Sequence, residues 1–255
     1  PLLVDVMNKA PVHPNKREKD RAAGINRVEY DDQITEDEDS RWPAERPPYT
    51  HQLDAWKILG QEAPQSVVVT AGTGSGKSEC FMVPLLNDLA RQVECSDEQL
   101  VGIQAIMLYP LNALINSQRD RLIGWTRGFR GKVRFALYNG ETPKDLAAER
   151  TENQKAVYGD EKPEEVRDRK NIRQTPPPIL VTNATMLEYM LVRPEDRPLL
   201  DKSQGALKWI ILDEAHTLVG SAAAETSLLL RRTMLAFGVQ PKDVRFVATS
   251  ATIGD

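Results

Sequence analysis

From Arg46 onward the apolar positions fall in short runs rich in β-branched and aromatic residues, and longer stretches of helical periodicity separate them. The runs predict strands at Val67–Thr70, Gln104–Tyr109, Val133–Leu137, Ile179–Thr182, Trp209–Leu212 and Arg245–Thr249. Runs that are apolar throughout, rather than alternating, predict strands covered on both faces. With a helical stretch between most consecutive strands, the expected fold class is α/β, a mostly parallel sheet with helices on both faces. Ligands of such sheets sit at the carboxyl ends of the strands.

Two segments break this rhythm. Residues 1–45 combine Pro1, Pro11 and Pro14 with charge runs and weak periodicity, which predicts an N-terminal extension or linker ahead of a domain at 46–255. Its acidic stretch, Glu29 to Asp39, reads as a solvated linker. The chain opens on Pro1 rather than Met, as expected of a piece of a longer polypeptide. The second segment, Thr151 to Pro178, is polar and ends in Thr175-Pro-Pro-Pro178, predicting a surface crossing with a short helix around Glu164–Ile172.

At 255 residues with 40% apolar content, the chain has material for one large or two small cores. No apolar run approaches the roughly 18 to 20 residues needed to span a bilayer, so no membrane partner is expected and the predicted location is cytoplasmic. Cys80 and Cys95 are the only two cysteines, which argues against a zinc site or disulfide framework and for buried, inert thiols. A net charge of −4 excludes a generally basic nucleic-acid coat but leaves room for a local groove. Arg119, Arg121, Arg127, Arg130, Lys132 and Arg134 form the strip that suggests one.

The strongest chemistry lies at the ends of two predicted strands. Ala71-Gly-Thr-Gly-Ser-Gly-Lys77-Ser78 follows the first, and Asp213-Glu-Ala-His216 follows the fifth. A glycine-rich turn between a strand and a helix directs backbone N–H groups at one point, where the positive end of the helix dipole adds to them. That combination suits a polyphosphate, so Thr73, Gly74, Ser75, Gly76, Lys77 and Ser78 are candidates for binding ATP. Lys77 supplies a point charge for the β and γ phosphates, and the Ser78 hydroxyl and Asp213 carboxylate are candidate ligands of Mg²⁺. Glu214 is placed to orient and deprotonate an attacking water, which makes Lys77, Asp213 and Glu214 the catalytic candidates. The usual loop pattern begins with Gly where Ala71 stands, a mild departure.

The ordered series between and around these motifs resembles the superfamily 2 helicases of the DEAH/DExH-box kind. Tyr49-Thr-His-Gln52 is similar to the family's adenine-reading motif, with Tyr49 to stack on the base and Gln52 to pair with its edge. Tyr109-Pro-Leu-Asn-Ala-Leu114 with Gln118 and Arg119, then Tyr138-Asn-Gly-Glu-Thr142, then Val181-Thr-Asn-Ala-Thr-Met-Leu187, resemble three motifs that grip a nucleic-acid backbone. The resemblance thus makes Pro110, Asn112, Gln118, Arg119, Asn139, Gly140, Thr182 and Asn183 candidate strand contacts. Thr249-Ser-Ala-Thr252 resembles the motif that couples hydrolysis to movement, through Ser250, Thr252 and His216.

Residues Pro176 to Pro194 and Gly220 to Leu235 are similar to the Lhr-like and YprA-like branch of DNA helicases, with Ala215 where family members more often carry Leu or another residue. The resemblance implies the first of two RecA-like domains, using ATP and Mg²⁺ to move along single-stranded or duplex DNA, in repair or antiphage defence. It also implies a second RecA-like domain elsewhere in the same polypeptide, which supplies arginine fingers. None of Arg231, Arg232 or Arg245 lies in such a motif, so this chain alone is expected to bind ATP weakly and turn it over slowly. Two alternatives stay open: a nucleotide-gated nucleic-acid or protein binding module without unwinding, and an RNA helicase, because backbone contacts distinguish DNA from RNA poorly.

Overall fold

A computed structural model describes residues 47–72, 74–96, 98–146 and 162–251. The predicted N-terminal extension and the candidates Thr73 and Thr252 lie outside the described residues. In chain order the elements are α1 (Thr50–Leu59), β1 (Val67–Thr70), α2 (Lys77–Ser96), β2 (Ala105–Leu108), α3 (Asn112–Ser117), α4 (Arg119–Thr126) and β3 (Phe135–Tyr138). These are followed by α5 (Arg169–Gln174), β4 (Ile179–Thr182), α6 (Ala184–Val192), α7 (Arg197–Asp201), β5 (Trp209–Leu212), α8 (Ser221–Ala236) and β6 (Arg245–Ser250).

The six strands form one parallel sheet in the order β1-β6-β5-β2-β4-β3. The inner strands look apolar throughout because they serve two cores with a period of two, whereas the edge strand β1 buries only Val69 and leaves Val68 exposed, against the expectation of cover on both faces. Ala105, Met107, Val181, Trp209, Ile211 and Val247 face α1, α2 and α4, where Phe81, Leu85, Leu89 and Trp125 meet them. Ile106, Leu108, Leu180 and Ile210 face the other way, against Ile172, Met190, Leu199, Leu229 and Met234 of α5 to α8. No helix among the described residues is long and apolar enough to cross a membrane.

Three expectations need correction. The helix expected around Glu164–Ile172 begins only at Arg169, because Glu164 to Val166 run beside β3: Phe135 N–H donates to Glu164 O (2.8 Å) and Val166 N–H to Phe135 O (2.9 Å). Asp168 then caps α5 by accepting from Asn171 N–H at 2.8 Å. Nor is this segment a plain surface crossing, since Glu164, Val166 and Asp168 are buried, and burial raises the Glu164 carboxyl above the usual carboxylate range.

The two thiols differ. Cys80 is buried in α2, where desolvation and the neighbouring Glu79 charge push its pKa up to about 12, whereas Cys95 is exposed. The basic strip is also not one strip. Arg119 is ion-paired with Glu165 at 2.8 Å, Arg127 is buried, and Arg134 lies before β3, at the sheet edge opposite the motifs.

The amino ends of β5 and β6 are fastened together by Trp209 and Arg245. The indole N–H donates to Asp88 Oδ2 at 3.1 Å, and the Arg245 guanidinium lies 5.1 Å from the ring centroid. Arg245 Nε also donates to Leu59 O at 3.2 Å and Nη2 to Gln61 O at 2.6 Å, tying α1 to the sheet. Trp209→Ala is therefore expected to lower the unfolding free energy by about 3 to 5 kcal/mol, read from denaturant titration, because it opens a cavity and frees Asp88 and Arg245 together.

Candidate nucleotide and nucleic-acid site

Parallel pairing brings the carboxyl ends of all six strands to one edge, and the order of strands divides that edge in two. The half formed by β1, β6 and β5 carries the phosphate loop, the Thr249-Ser250 turn and the Asp213-Glu214 pair. The half formed by β2, β4 and β3 carries the Pro110, Asn183 and Asn139-Gly140 turns.

The loop after β1 is glycine-rich for a steric reason. Gly74 and Gly76 have φ of 74° and 75°, in the left-handed region where a Cβ is costly. A Cβ on Gly76 would also come within 2.4 Å of Gln52 Nε2. Lys77 Nζ donates to Ala71 O at 2.8 Å and Gly72 O at 2.9 Å, so the ammonium sits over the loop. Ser78 opens α2 beside it, and its Oγ accepts from Arg121 Nη1 at 3.2 Å. This set of a cationic Lys, a helix start and a hydroxyl has the donor chemistry that a triphosphate requires, and Ser78 with Asp213 offers oxygens to a hard dication.

Helix α1 braces the loop from outside. Gln52 is buried, its Oε1 accepts from Tyr49 N–H at 2.9 Å, and its Nε2 donates to Gly76 O at 3.0 Å. Both ends of the amide hold the loop and the helix entry, which leaves one N–H and one oxygen lone pair for an adenine edge. Tyr49 is half exposed and stacks on His51, with ring centroids 5.6 Å apart. His51 Nε2 lies 3.0 Å from Ser75 O, and Trp56 Nε1 donates to Glu79 O at 2.9 Å. Sequence reading missed these last two braces; for Trp56, four residues after Gln52, helical spacing was the available signal.

The acidic pair is held by β6. Thr70 pairs with Ser250 and Leu212 with Ala248, so the next residue along, Thr249, faces Asp213. The buried Thr249 hydroxyl donates to Asp213 Oδ1 and accepts from Glu214 N–H at 3.3 Å. Thr249, which sequence reading did not single out, thus supplies a hydroxyl linking this turn to the acidic pair, while the Ser250 carbonyl receives Ala71 N–H at 3.3 Å.

Glu214 has φ 52° and ψ 44°, a left-handed conformation that costs a residue with a Cβ on the order of 1 kcal/mol. It persists because Thr249 holds its N–H while Thr217 Oγ1 donates to its carbonyl at 2.9 Å. His216 Nδ1 lies 3.2 Å from Glu214 Oε2, yet that buried oxygen has no hydrogen bond among the described residues. Tyr109, at the end of β2, is buried nearby. Desolvation and the Asp213 carboxylate push its hydroxyl well above the ordinary range, so it stays neutral.

On the other half, Asn183 Oδ1 caps α6 by accepting from Met186 N–H at 2.7 Å, while its Nδ2 donates to Asn112 Oδ1 at 2.7 Å. Two candidate strand contacts are thereby bonded to each other. Pro110 and Gly140 are exposed. Asn139 is buried and shapes its own turn by accepting from Glu141 N–H at 2.9 Å, and Arg169 Nη2 donates to Asn139 O at 3.1 Å. Thr182 is fully buried with its hydroxyl donating to Tyr138 O at 2.6 Å, so its side chain fastens β4 to β3 beneath the surface. Arg119 is committed to Glu165, and Gln118 Oε1 stands 3.5 Å from Arg121 Nη1.

A phosphate loop and an acidic pair on strands separated by one, bridged by a hydroxyl from the strand between, define a domain of RecA-like helicase fold. The chain belongs to the DEAD/DEAH box helicase family, whose sequence profile matches residues 49–255. It is 30% identical over 294 residues to the Druantia protein DruE of Escherichia coli (strain UMEA 4076-1), covering 81% of this chain and 16% of that protein. It is 26% identical over 207 residues to the uncharacterized ATP-dependent helicase YprA of Bacillus subtilis (strain 168), covering 81% of this chain and 23% of that protein. Among solved structures, the DUF1998 helicase MrfA bound to DNA and AMPPNP superposes with a TM-score of 0.58 at 24% identity, covering 81% of this chain and 24% of the other. The curated relatives it matches are much longer, the chain spanning 16% to 26% of their length.

Gly76→Ala is expected to cost about 1 to 2 kcal/mol of stability and to expel the Gln52 amide, because the Cβ meets both an unfavourable φ and Nε2. Gly72→Ala, whose Cβ meets nothing within 4 Å, is expected to change stability by under about 0.5 kcal/mol. Denaturant titration of the two variants checks the contrast.

Proposed function

We propose that this chain is the ATP-hydrolysing domain of an ATP-dependent helicase that moves along single-stranded DNA, with Mg²⁺ as the companion of ATP. Supporting the reading above all is the Thr249 bridge, which joins the acidic pair after β5 to β6 and holds Glu214 in a left-handed backbone conformation. Lys77 binds the β and γ phosphates, while Ser78 and Asp213 hold the cation. Bound Mg²⁺ neutralises charge on the phosphates during transfer. Glu214 then orients water and takes its proton, and His216 beside it fixes the carboxylate's direction.

Asn112, Asn183, Gly140 and Pro110 contact the backbone of one strand, from the half of the edge that holds no phosphate loop. Their hydrogen-bonding is indifferent to base identity, as movement along a strand requires. Preference for DNA follows from the resemblance to the Lhr-like and YprA-like branch, and so does a setting in repair or antiphage defence. A second RecA-like domain in the same polypeptide would complete the site. Arg245 is committed at the opposite edge of the sheet and Arg232 to Glu188, so neither serves as a finger.

ATP turnover by the intact protein, with and without single-stranded DNA or RNA, tests this reading. DNA is expected to stimulate turnover, and Glu214→Gln to reduce it by about 10²-fold or more while nucleotide still binds. Nucleotide binding without stimulated turnover would instead mark a nucleotide-gated module, and stimulation by RNA alone an RNA helicase. DNA affinity is expected to fall with salt at a log–log slope of several, the signature of phosphate contacts.

A further inference from the structure

Arg121 belongs to none of the motifs above, yet it reaches directly to the phosphate loop. It lies in the first turn of α4, and its fork spans two consecutive residues of α2. Nη1 donates to Ser78 Oγ at 3.2 Å and Nη2 to Glu79 Oε1 at 3.1 Å. Nη1 also stands 3.5 Å from Gln118 Oε1, and Ser78, Tyr109, Gln118, Arg121 and Trp125 line one small pocket. The guanidinium thus joins the loop to the start of α4, immediately after the segment that carries Asn112 and Gln118.

Two features make this contact a competition. A serine hydroxyl has two acceptor lone pairs, and one that receives a guanidinium N–H is less available to a dication, which also repels the adjacent positive charge. Glu79 Oε2 is buried without a hydrogen bond among the described residues, although a carboxylate readily takes a bidentate guanidinium. The arginine therefore has an alternative partner a short distance from its present one.

Resting on the reading of Ser78 as a metal ligand, we propose that Arg121 is a positioning residue that competes with Mg²⁺ for the Ser78 oxygen. When the cation takes Ser78, the freed N–H turns to Glu79 Oε2 and its contact with Gln118 changes. The residue thereby sets how much Mg²⁺ the nucleotide site requires, and it links occupancy of that site to the strand-contacting segment before α4.

The test is the affinity of the intact protein for a fluorescent ATP analogue across a Mg²⁺ titration, with the same measurement in EDTA. Arg121→Ala is expected to lower the Mg²⁺ concentration at half-effect about three- to tenfold, as for one lost charge-assisted hydrogen bond, with affinity in EDTA unchanged within about twofold. The change in single-stranded DNA affinity caused by Mg²⁺-nucleotide is expected to shrink in the same variant. Arg121→Gln keeps a donor and much of the side-chain volume without the charge, so it guards against loss of fold and is expected to shift the midpoint the same way. An unshifted midpoint in both variants overturns the proposal while leaving the nucleotide site intact. Wild-type protein whose analogue affinity ignores Mg²⁺ overturns the metal reading of Ser78 and this proposal with it.

Discussion

Register in the parallel sheet is the constraint on which everything else rests. Thr70 pairs with Ser250, Leu212 with Ala248, and Leu108 with both Leu212 and Thr182. These pairings end the strands in step, so the turns that follow open at one level. A slip of one residue would exchange the two cores, since alternate side chains face opposite helical layers. It would also carry Thr249 away from Asp213 and leave that half-buried carboxylate without the hydroxyl it accepts from. The two cores therefore stabilise the chemistry indirectly, by making any other register expensive in buried apolar area.

Legibility in the sequence followed the range of the interactions concerned. All six strands could be read because each is a local apolar run rich in β-branched or aromatic residues, even β1, where Val68 is exposed. Their ends shifted by a residue or two, as at Phe135–Tyr138, because the last paired position depends on a neighbour far along the chain. The helix near Glu164 was misplaced for the same reason: its residues have helical composition, but their backbone groups bond to Phe135. A pattern of charges likewise could not tell that Arg119 is ion-paired, Arg127 is buried and Arg134 belongs to the far edge.

At the site, residue types fixed by backbone geometry were easiest to read. Gly74 and Gly76 carry positive φ, and the acidic pair follows a strand, both of which are local facts. Side chains that act on a distant partner were harder. Gln52 stood out, but its use of both amide ends to hold Tyr49 and Gly76 is a matter of packing between α1 and α2. Thr249 and Arg121 were hidden by ordinary surroundings, since nothing in a Thr-Ser-Ala turn or a basic helix start says which atom lies opposite.

The left-handed backbone at Glu214 has a consequence for how such a chain can change over time. Glycine or asparagine would accept that conformation more readily than glutamate does. Random drift that improved folding at this position would therefore remove the carboxylate proposed as the general base. Selection for a sturdier protein and selection for a working one pull in opposite directions at a single residue, and the conformation can be retained only while the chemistry is in use.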